Sequence, residues 1–252
     1  MFKQVERTPR YRMVAEQIAD LIVSGKLERG GKMPPDRELV EKLGVSRATI
    51  REAMIALEIS GFVENKFGAG SYVSETPPIS SKLNVATTPG PFELLEARMT
   101  IEGEIASIAA QQITDEDIKR LEYCIGCMSD EKAEEFWGGN ADEEFHIIIA
   151  NATNNTSFVN IVREFWRQRT QMPMWVQMHG RVNVDTMRGL LIEEHQVIVE
   201  ALKARNSIEA GNAMRSHISS FGRSLLEKWN TLDENTRTEI SPPEERLMSR
   251  LG

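Results

Sequence analysis

Apolar residues recur every three or four positions in the first part of the chain, and this spacing predicts amphipathic helices. One helix covers about residues 10–24. A second covers residues 36–43, where Asp36 is a good N-cap residue, and Gly44 then marks a turn. A third helix begins after Ser46, also a good N-cap, and continues for about four turns. The short turn between the second and third helices predicts a helix-turn-helix unit.

Two short segments after the third helix alternate between apolar and polar residues, as strands do. They are residues 62–66 and 71–73, and the loop between them contains Gly68 and Gly70, which favours a hairpin. Helices followed by such a two-stranded wing have the order of a winged helix-turn-helix domain. We therefore predict this domain over residues 1–75.

The rest of the chain has a helical pattern and predicts an all-α bundle. Residues 76–90 are rich in proline and lack periodicity, so we interpret them as a linker. The helical domain then covers residues 91–232, and a polar tail covers residues 233–252. The fold class is mainly α. The helices predicted for the second domain are about 91–112, 115–130, 141–152, 157–171, 186–204 and 207–230.

The distribution of charge is compatible with DNA binding by the first domain. The 252 residues carry a net charge of −8, but the acidic excess lies after residue 75. Residues 1–75 contain 12 basic and 11 acidic side chains, so a basic face can form there. The chain has no apolar run of the roughly 20 residues that a membrane span needs, and its start lacks the apolar core of a signal peptide. With two cysteines, these features favour a cytoplasmic protein that does not contact a membrane.

The third helix carries two arginines, Arg47 and Arg51, four residues apart near its start. The N-terminal part of a recognition helix enters the major groove, where an arginine can hold guanine through two hydrogen bonds. Arg37, at the start of the second helix, can meet a phosphate or a base edge. The alternative is that these arginines are solvated charges on a helix surface.

Three of the four histidines and one aspartate have the spacing of a metal site. Asp142 and His146 are four residues apart and share a helix face. His195 and His217 each lie eleven residues from a predicted helix break at Asn206. If the two helices form an antiparallel hairpin, both imidazoles reach the same level. Three imidazoles and a carboxylate suit Zn²⁺, Ni²⁺ or Mn²⁺.

Several motifs of the first domain resemble the DNA-binding domain of GntR-type bacterial regulators. They occupy residues 35–39, 45–53, 61–63 and 68–70. The second half resembles the FadR-like branch of this family, in which a helical effector domain binds a metal and a small carboxylate. The resemblance implies that the DNA contacts are made by Arg37, Arg47, Thr49, Arg51 and Gly68. It also implies that the metal ligands are Asp142, His146, His195 and His217.

Two further segments, residues 90–98 and 172–179, are similar to those of regulators of hexuronate catabolism. A hexuronate could chelate a metal through its carboxylate and a neighbouring oxygen, while Arg98 pairs with the carboxylate. Arg98 has an alternative role as the ion-pair partner of Glu102, four residues on. The further candidates for effector binding are Arg169, Gln177 and His179, for which a solvated or structural role is the alternative.

The expected function is a homodimeric transcriptional regulator, a repressor of sugar-acid genes that binds a palindromic DNA operator. Three alternatives stay open. The first is a metal-dependent hydrolase or isomerase, since the ligand set could activate water. The second is a related regulator that senses an aldonate or lactate, and the third is a regulator of an acyl ligand without a metal. The sequence does not distinguish among metals or sugar acids.

Overall fold

A computed structural model describes residues 8–66, 69–84, 88–130, 140–179 and 184–230, and most of them are helical. The chain divides into two compact units, one within residues 1–92 and the other formed by Glu93–Glu227. In the described ranges, no helix combines the length and the apolar character that a bilayer span requires.

The described part of the first unit is built around its third helix. Its elements are α1 (Arg10–Val23), α2 (Asp36–Leu43), α3 (Arg47–Ile59), β1 (Val63–Lys66) and β2 (Gly70–Val73). Both α1 and α2 pack against α3. The apolar stripe of α1, with Val14, Ile18 and Ile22 four residues apart, is buried in this core, as the hydrophobic pattern predicts.

The turn between α2 and α3 follows the sequence signals closely. Gly44 has a φ of +64°, a left-handed conformation that favours glycine, and it ends α2. The hydroxyl of Ser46 accepts a hydrogen bond from the backbone N–H of Thr49 at 3.1 Å, so the predicted cap of α3 is confirmed.

The predicted cap of α2 is wrong. Pro35 occupies the N-cap position, and Asp36 is the first helical residue, where its carboxylate accepts a hydrogen bond from Arg51 instead.

The predicted wing is confirmed as an antiparallel hairpin of β1 and β2. Val63 pairs with Val73 at one end and Lys66 pairs with Gly70 at the other. Each strand differs from the predicted segment by one residue. Gly68, which the resemblance implies as a DNA contact, lies outside the described residues.

The described part of the second unit is helical, as predicted. Its helices are α4 (Pro91–Ala109), α5 (Asp115–Asp130), α6 (Asn140–Ala152), α7 (Thr156–Gln171), α8 (Pro173–His179), α9 (Val184–Lys203) and α10 (Ser207–Asn230). The short helix α8 was not predicted, although proline suits the first position of a helix. In the interior of this unit, α5 packs against α6 and α9, and α6 packs against α7.

The corner between α9 and α10 is a tight, hydrogen-bonded turn. The N–H of Asn206 donates to the carbonyl of Ala201 at 3.1 Å, and the N–H of Arg205 donates to Leu202 at 3.0 Å. This pair of bonds is a Schellman motif, and it places Arg205 in the left-handed region with a φ of +52°. The side chain of Asn206 then accepts from the N–H of Glu209 at 3.2 Å and starts α10. The predicted break at Asn206 is confirmed.

Replacing Arg205 with glycine is expected to stabilise the protein. A left-handed backbone costs a non-glycine residue about 1–2 kcal/mol, whereas the extra freedom that glycine loses on folding costs about 0.5–1 kcal/mol. We therefore expect the free energy of unfolding to rise by about 0.5–1 kcal/mol, measured by urea unfolding. The matched control is Ala204→Gly, one residue earlier, where no left-handed φ is present and glycine should destabilise. A loss of stability in both variants would contradict this account of the corner.

Candidate metal centre

Four side chains that commonly bind metals converge inside the second unit. Asp142 and His146 lie on α6, His195 lies on α9, and His217 lies on α10. One ligand atom from each of the four residues lies within 4.8 Å of the others. The three histidines are buried, and the Asp142 side chain is 21% exposed. The spacing in the sequence predicts this convergence, and the structure brings all four residues together.

The helix geometry accounts for the arrangement. Asp142 and His146 are one above the other because they are four residues apart on α6. The ring centroids of His195 and His217 are only 4.3 Å apart, so the two arms of the α9–α10 hairpin place them at the same level, as predicted. The ring of His146 lies 5.6 Å from that of His217 and 5.9 Å from that of His195.

Each histidine has one ring nitrogen engaged on the side away from the cluster. His146 Nδ1 lies 2.5 Å from a carboxylate oxygen of Glu102, and His217 Nδ1 lies 3.1 Å from one of Glu194. His195 Nδ1 lies 2.6 Å from the carbonyl oxygen of Leu191. Such partners fix the ring orientation of metal-binding histidines and leave Nε2 for the metal.

The Nε2 atoms meet the requirements of a divalent metal site. His195 Nε2 is 3.1 Å from Asp142 Oδ1, and His146 Nε2 is 3.5 Å from the same oxygen. His146 Nε2 is buried and has no hydrogen-bond partner among the described residues. A buried nitrogen without a partner is costly unless something else binds it. The donor set, three imidazoles and one carboxylate, therefore fits a divalent metal ion.

The charges around the cluster favour a cation. Burial alone would raise the pKa of Asp142, but the adjacent imidazoles of His146 and His195 outweigh it and hold this pKa well below its ordinary value. Burial would lower the pKa of His146, but the adjacent carboxylates of Glu102 and Asp142 outweigh it and raise this pKa. Burial, reinforced by the neighbouring His195, lowers the pKa of His217 to about 4, so this ring is neutral near pH 7. A neutral imidazole is the form that binds metals.

Two buried arginines line a cavity beside the cluster. Arg98 donates from Nε to Glu102 at 2.6 Å, and Arg169 donates from Nη1 to Asp142 Oδ2 at 3.2 Å. Their guanidinium carbons lie 4.9 Å and 4.3 Å from the ring centroid of Trp166. The ion pair between Arg98 and Glu102, the alternative role that the sequence left open for Arg98, is thus present. Arg98 also lines the cavity, so the two roles are compatible.

The cavity is small in this conformation. Its volume is about 20 Å³, which is room for roughly one water molecule. The described residues that line it are Arg98, Met128, Asp142, Arg169, Leu191, His195, His217 and Phe221.

The other two effector candidates are not placed in the cavity wall. Gln177 is half-buried on α8 and is not among the lining residues. His179 is the last residue of α8, and its side chain lies outside the described residues.

Three residues that support the site were not assigned a role in it from the sequence. They are Glu102, which the sequence analysis considers only as a partner for Arg98, and Glu194 and Trp166, which it does not single out. Burial raises the pKa of a carboxyl group, yet Arg98 and His146 outweigh it and lower the pKa of Glu102 to about 2. The signal available in the sequence was the helical spacing of Arg98 and Glu102. The contact with His146 depends on packing between α4 and α6.

The candidate DNA-binding residues occupy different environments in the first unit. The Arg37 side chain is 71% exposed, with Nε 3.3 Å from Glu41, and Arg47 is half-buried at the start of α3. The hydroxyl of Thr49 lies 2.8 Å from that of Ser46. These three residues lie at the N-terminal ends of the two helices of the helix-turn-helix.

Arg51 differs from the surface residue that the sequence predicts. Its side chain is 2% exposed, and Nε donates to Asp36 at 3.3 Å. Burial lowers the pKa of Arg51 to about 10, although the charge of Asp36 partly compensates. The helical spacing from Arg47 places Arg51 one turn on, but packing of α2 against α3 covers it. In this conformation Arg51 joins α2 to α3.

Comparison with known proteins assigns both parts of the chain. Residues 10–73 match the family model described as bacterial regulatory proteins, gntR family, and residues 93–220 match the FCD domain. The Uxu operon transcriptional regulator of Escherichia coli (strain K12) is 37% identical over 229 residues, which are 88% of this chain and 89% of that protein. The Uxu operon regulator of Haemophilus influenzae is 36% identical over 225 residues, or 88% and 84% of the two chains.

A third relative is the Exu regulon transcriptional regulator of Escherichia coli (strain K12). It is 33% identical over 216 residues, which are 83% of this chain and 82% of that protein. These relatives are transcriptional regulators, so the alternative of a metal-dependent hydrolase or isomerase is set aside. The chain is a DNA-binding transcriptional regulator that belongs to the gntR family of bacterial regulatory proteins and carries an FCD domain.

Proposed function

We propose that this regulator represses genes of hexuronate catabolism and that a hexuronate, bound beside a divalent metal ion in the second unit, controls its affinity for DNA. The observation that carries the proposal is a cavity lined by two buried arginines and three of the four candidate metal ligands. The metal is held by Asp142 and the three histidines of the cluster. Zinc is the first candidate, with nickel and manganese as alternatives, because the donors are nitrogen and oxygen.

The charges of the site support an anionic effector. Arg98 is paired with Glu102, and Arg169 is paired with Asp142, so these four side chains are nearly balanced. A divalent metal adds two positive charges to a buried region, and neutral histidines do not offset them. A carboxylate would offset half of this added charge, and it can form a charge-assisted, two-pronged contact with an arginine. A metal held by these residues would supply Lewis acidity, which suits a ligand that carries a carboxylate beside a hydroxyl or keto oxygen.

The cavity volume supports a regulatory role for effector binding. A cavity of about 20 Å³ does not hold a six-carbon acid, so the walls must open when such a ligand binds. A ligand that binds only an opened form shifts the population toward that form. We propose that the opened form has a different affinity for the operator. Because such coupling is reciprocal, binding of the operator changes the affinity for the effector by the same factor.

The DNA partner is double-stranded DNA with a palindromic operator, bound by a homodimer with one recognition helix in each half-site. The best candidates for the DNA contacts are Arg37, Arg47 and Thr49 at the helix ends, with Gly68 in the wing. Arg51 remains a candidate only if its ion pair with Asp36 opens on binding.

Two narrower alternatives concern the effector. A regulator of the same family could sense an aldonate or lactate at the same site, since each carries a carboxylate next to a hydroxyl. A regulator of an acyl ligand without a metal would also use an α-helical domain. The positions of four ligand atoms within 4.8 Å favour the metal-dependent alternatives.

A thermal unfolding assay of the purified dimer separates these possibilities. We expect glucuronate, galacturonate or one of their keto isomers to raise the unfolding midpoint, and we expect a chelator to abolish this rise. At 100 times its Kd, the ligand should contribute about 2.7 kcal/mol to stability, which is a readable shift. Gluconate and lactate serve as the comparison ligands. If a metal ion alone raises the midpoint and no hexuronate adds to it, the site is a metal site and the hexuronate proposal is wrong.

A further inference from the structure

Glu102 contacts both a metal-ligand histidine and an effector arginine, although it lines no part of the cavity. Its side chain is 2% exposed. One carboxylate oxygen, Oε1, accepts a hydrogen bond from Arg98 Nε at 2.6 Å. The other oxygen, Oε2, lies 2.5 Å from His146 Nδ1.

We infer that Glu102 is a positioning residue that links metal binding at His146 to effector binding at Arg98. This inference rests on the effector site proposed above. Glu102 would touch neither the metal nor the effector, so any effect on both affinities must pass through these two hydrogen bonds.

The first hydrogen bond selects the state of His146 that binds a metal. An ionised carboxylate only accepts, so its contact with Nδ1 requires a proton on that nitrogen. The proton on Nδ1 leaves the lone pair of the neutral ring on Nε2, which points toward Asp142 and has no hydrogen-bond partner among the described residues. When Nε2 binds a cation, the Nδ1–H becomes a stronger donor and draws the carboxylate closer.

The second hydrogen bond fixes the orientation of Arg98. Because Nε is held by Glu102, the plane of the guanidinium group is set, and its terminal amino groups make no hydrogen bond to another described residue. The group also lies over the ring of Trp166, at 4.9 Å from its centroid. An arginine held in one orientation loses less freedom when it binds a carboxylate with two hydrogen bonds.

The substitution Glu102→Gln tests the link without a large change in shape. A glutamine amide offers one acceptor oxygen and one donor NH₂, so it cannot accept from both Arg98 and His146. If the NH₂ group faces His146, the ring must place its lone pair on Nδ1, and Nε2 is then protonated and cannot bind a metal.

The matched control is Glu194→Gln. Glu194 accepts from His217 Nδ1 at 3.1 Å, and this is its only side-chain hydrogen bond or ion pair with a described residue. Like Glu102, it supports a candidate metal ligand, but it does not contact an arginine of the cavity. A loss that is common to both variants therefore reflects support of the metal, and a loss that is specific to Glu102→Gln reflects the link.

Two affinities are measured on each protein: zinc by competition with a chelating indicator, and glucuronate by calorimetry on zinc-saturated protein. Both variants should bind zinc about 10–100-fold more weakly. At saturating zinc, Glu102→Gln should bind glucuronate about tenfold more weakly or worse, whereas Glu194→Gln should stay within about threefold of the wild type. Glu102→Asp keeps the charge and is expected to recover part of both affinities, which also controls for folding.

The outcomes distinguish this inference from the proposed function. If the wild type does not bind glucuronate, the proposed effector is wrong. If the wild type binds it and Glu102→Gln binds it equally well at saturating zinc, the link through Glu102 is wrong.

A second measurement uses zinc alone. The Nε–H proton resonance of Arg98, assigned by its loss in Arg98→Lys, should move when zinc is added to the wild type or to Glu194→Gln. In Glu102→Gln it should move much less. An equal movement in all three proteins would overturn the inference even if no sugar acid binds.

Discussion

Zinc should fail to stabilise a protein in which His195 is replaced with alanine. His195 is 1% exposed, and its Nε2 lies 3.1 Å from Asp142. Because the site is buried, we do not expect another side chain to replace this ligand. Loss of a residue that only hydrogen-bonds to a metal ligand is expected to weaken metal binding by roughly 10–100-fold. Loss of one of the four ligands should weaken zinc binding by more than that. At a zinc concentration 100 times the wild-type Kd, the wild type should gain about 2.7 kcal/mol of stability and the variant almost none.

The measurement is the zinc-dependent change in the unfolding midpoint, together with the zinc content after dialysis. The zinc-dependent change is a better measure than the midpoint of the variant alone. His195 also packs edge-to-face on Phe145 at 4.5 Å, so its removal leaves a cavity that lowers the midpoint with or without zinc. The control is His179→Ala, which alters the fourth histidine of the chain and should leave the zinc content unchanged. A His195→Ala protein that retains one zinc per chain would show that the cluster is not the metal site.

Operator binding should be lost in a protein in which Arg47 is replaced with alanine. Arg47 is the first residue of α3, where a recognition helix meets base edges. A two-pronged contact between arginine and guanine discriminates by about 1–3 kcal/mol, and a dimer makes the contact twice. The expected loss is therefore about 2–6 kcal/mol, or roughly 30-fold to 20,000-fold in affinity. Fluorescence anisotropy measures this loss on a DNA sequence that the wild type selects from a random library.

Two comparison variants make this result specific. Lys119→Ala removes a positive charge from an exposed side chain of α5 and should bind the selected DNA like the wild type. Arg51→Ala removes the buried partner of Asp36, so it should lower the unfolding midpoint as well as DNA binding. Normal binding of the selected DNA by Arg47→Ala would exclude this arginine as a base-reading residue.

The sequence predicts features that depend on local periodicity better than features that depend on packing between distant segments. The convergence of His195 and His217 follows from their equal separation of eleven residues from Asn206, and the structure confirms it. By contrast, Arg51 has the spacing of a surface arginine, but Asp36, fifteen residues earlier, holds it in the interior. No local pattern indicates that contact.

The candidate site shows the same division. The four possible ligands could be predicted because helical spacing and hairpin symmetry bring them together. The role of Glu102 could not, because its contact with His146 joins residues 44 positions apart on different helices. Helix α8 was missed for a different reason. Its seven residues are too few to show a clear helical period, and only Pro173 at its first position indicates where it begins.

The corner between α9 and α10 restricts how many residues can separate the two helices. Only three residues, Ala204–Asn206, separate the two helices. One inserted residue absorbed by α10 would move His217 by about 1.5 Å along the helix and rotate it by about 100°. Four inserted residues would restore the direction of the side chain but displace it by about one turn, or roughly 5–6 Å. Insertions and deletions at this corner should therefore be incompatible with the cluster.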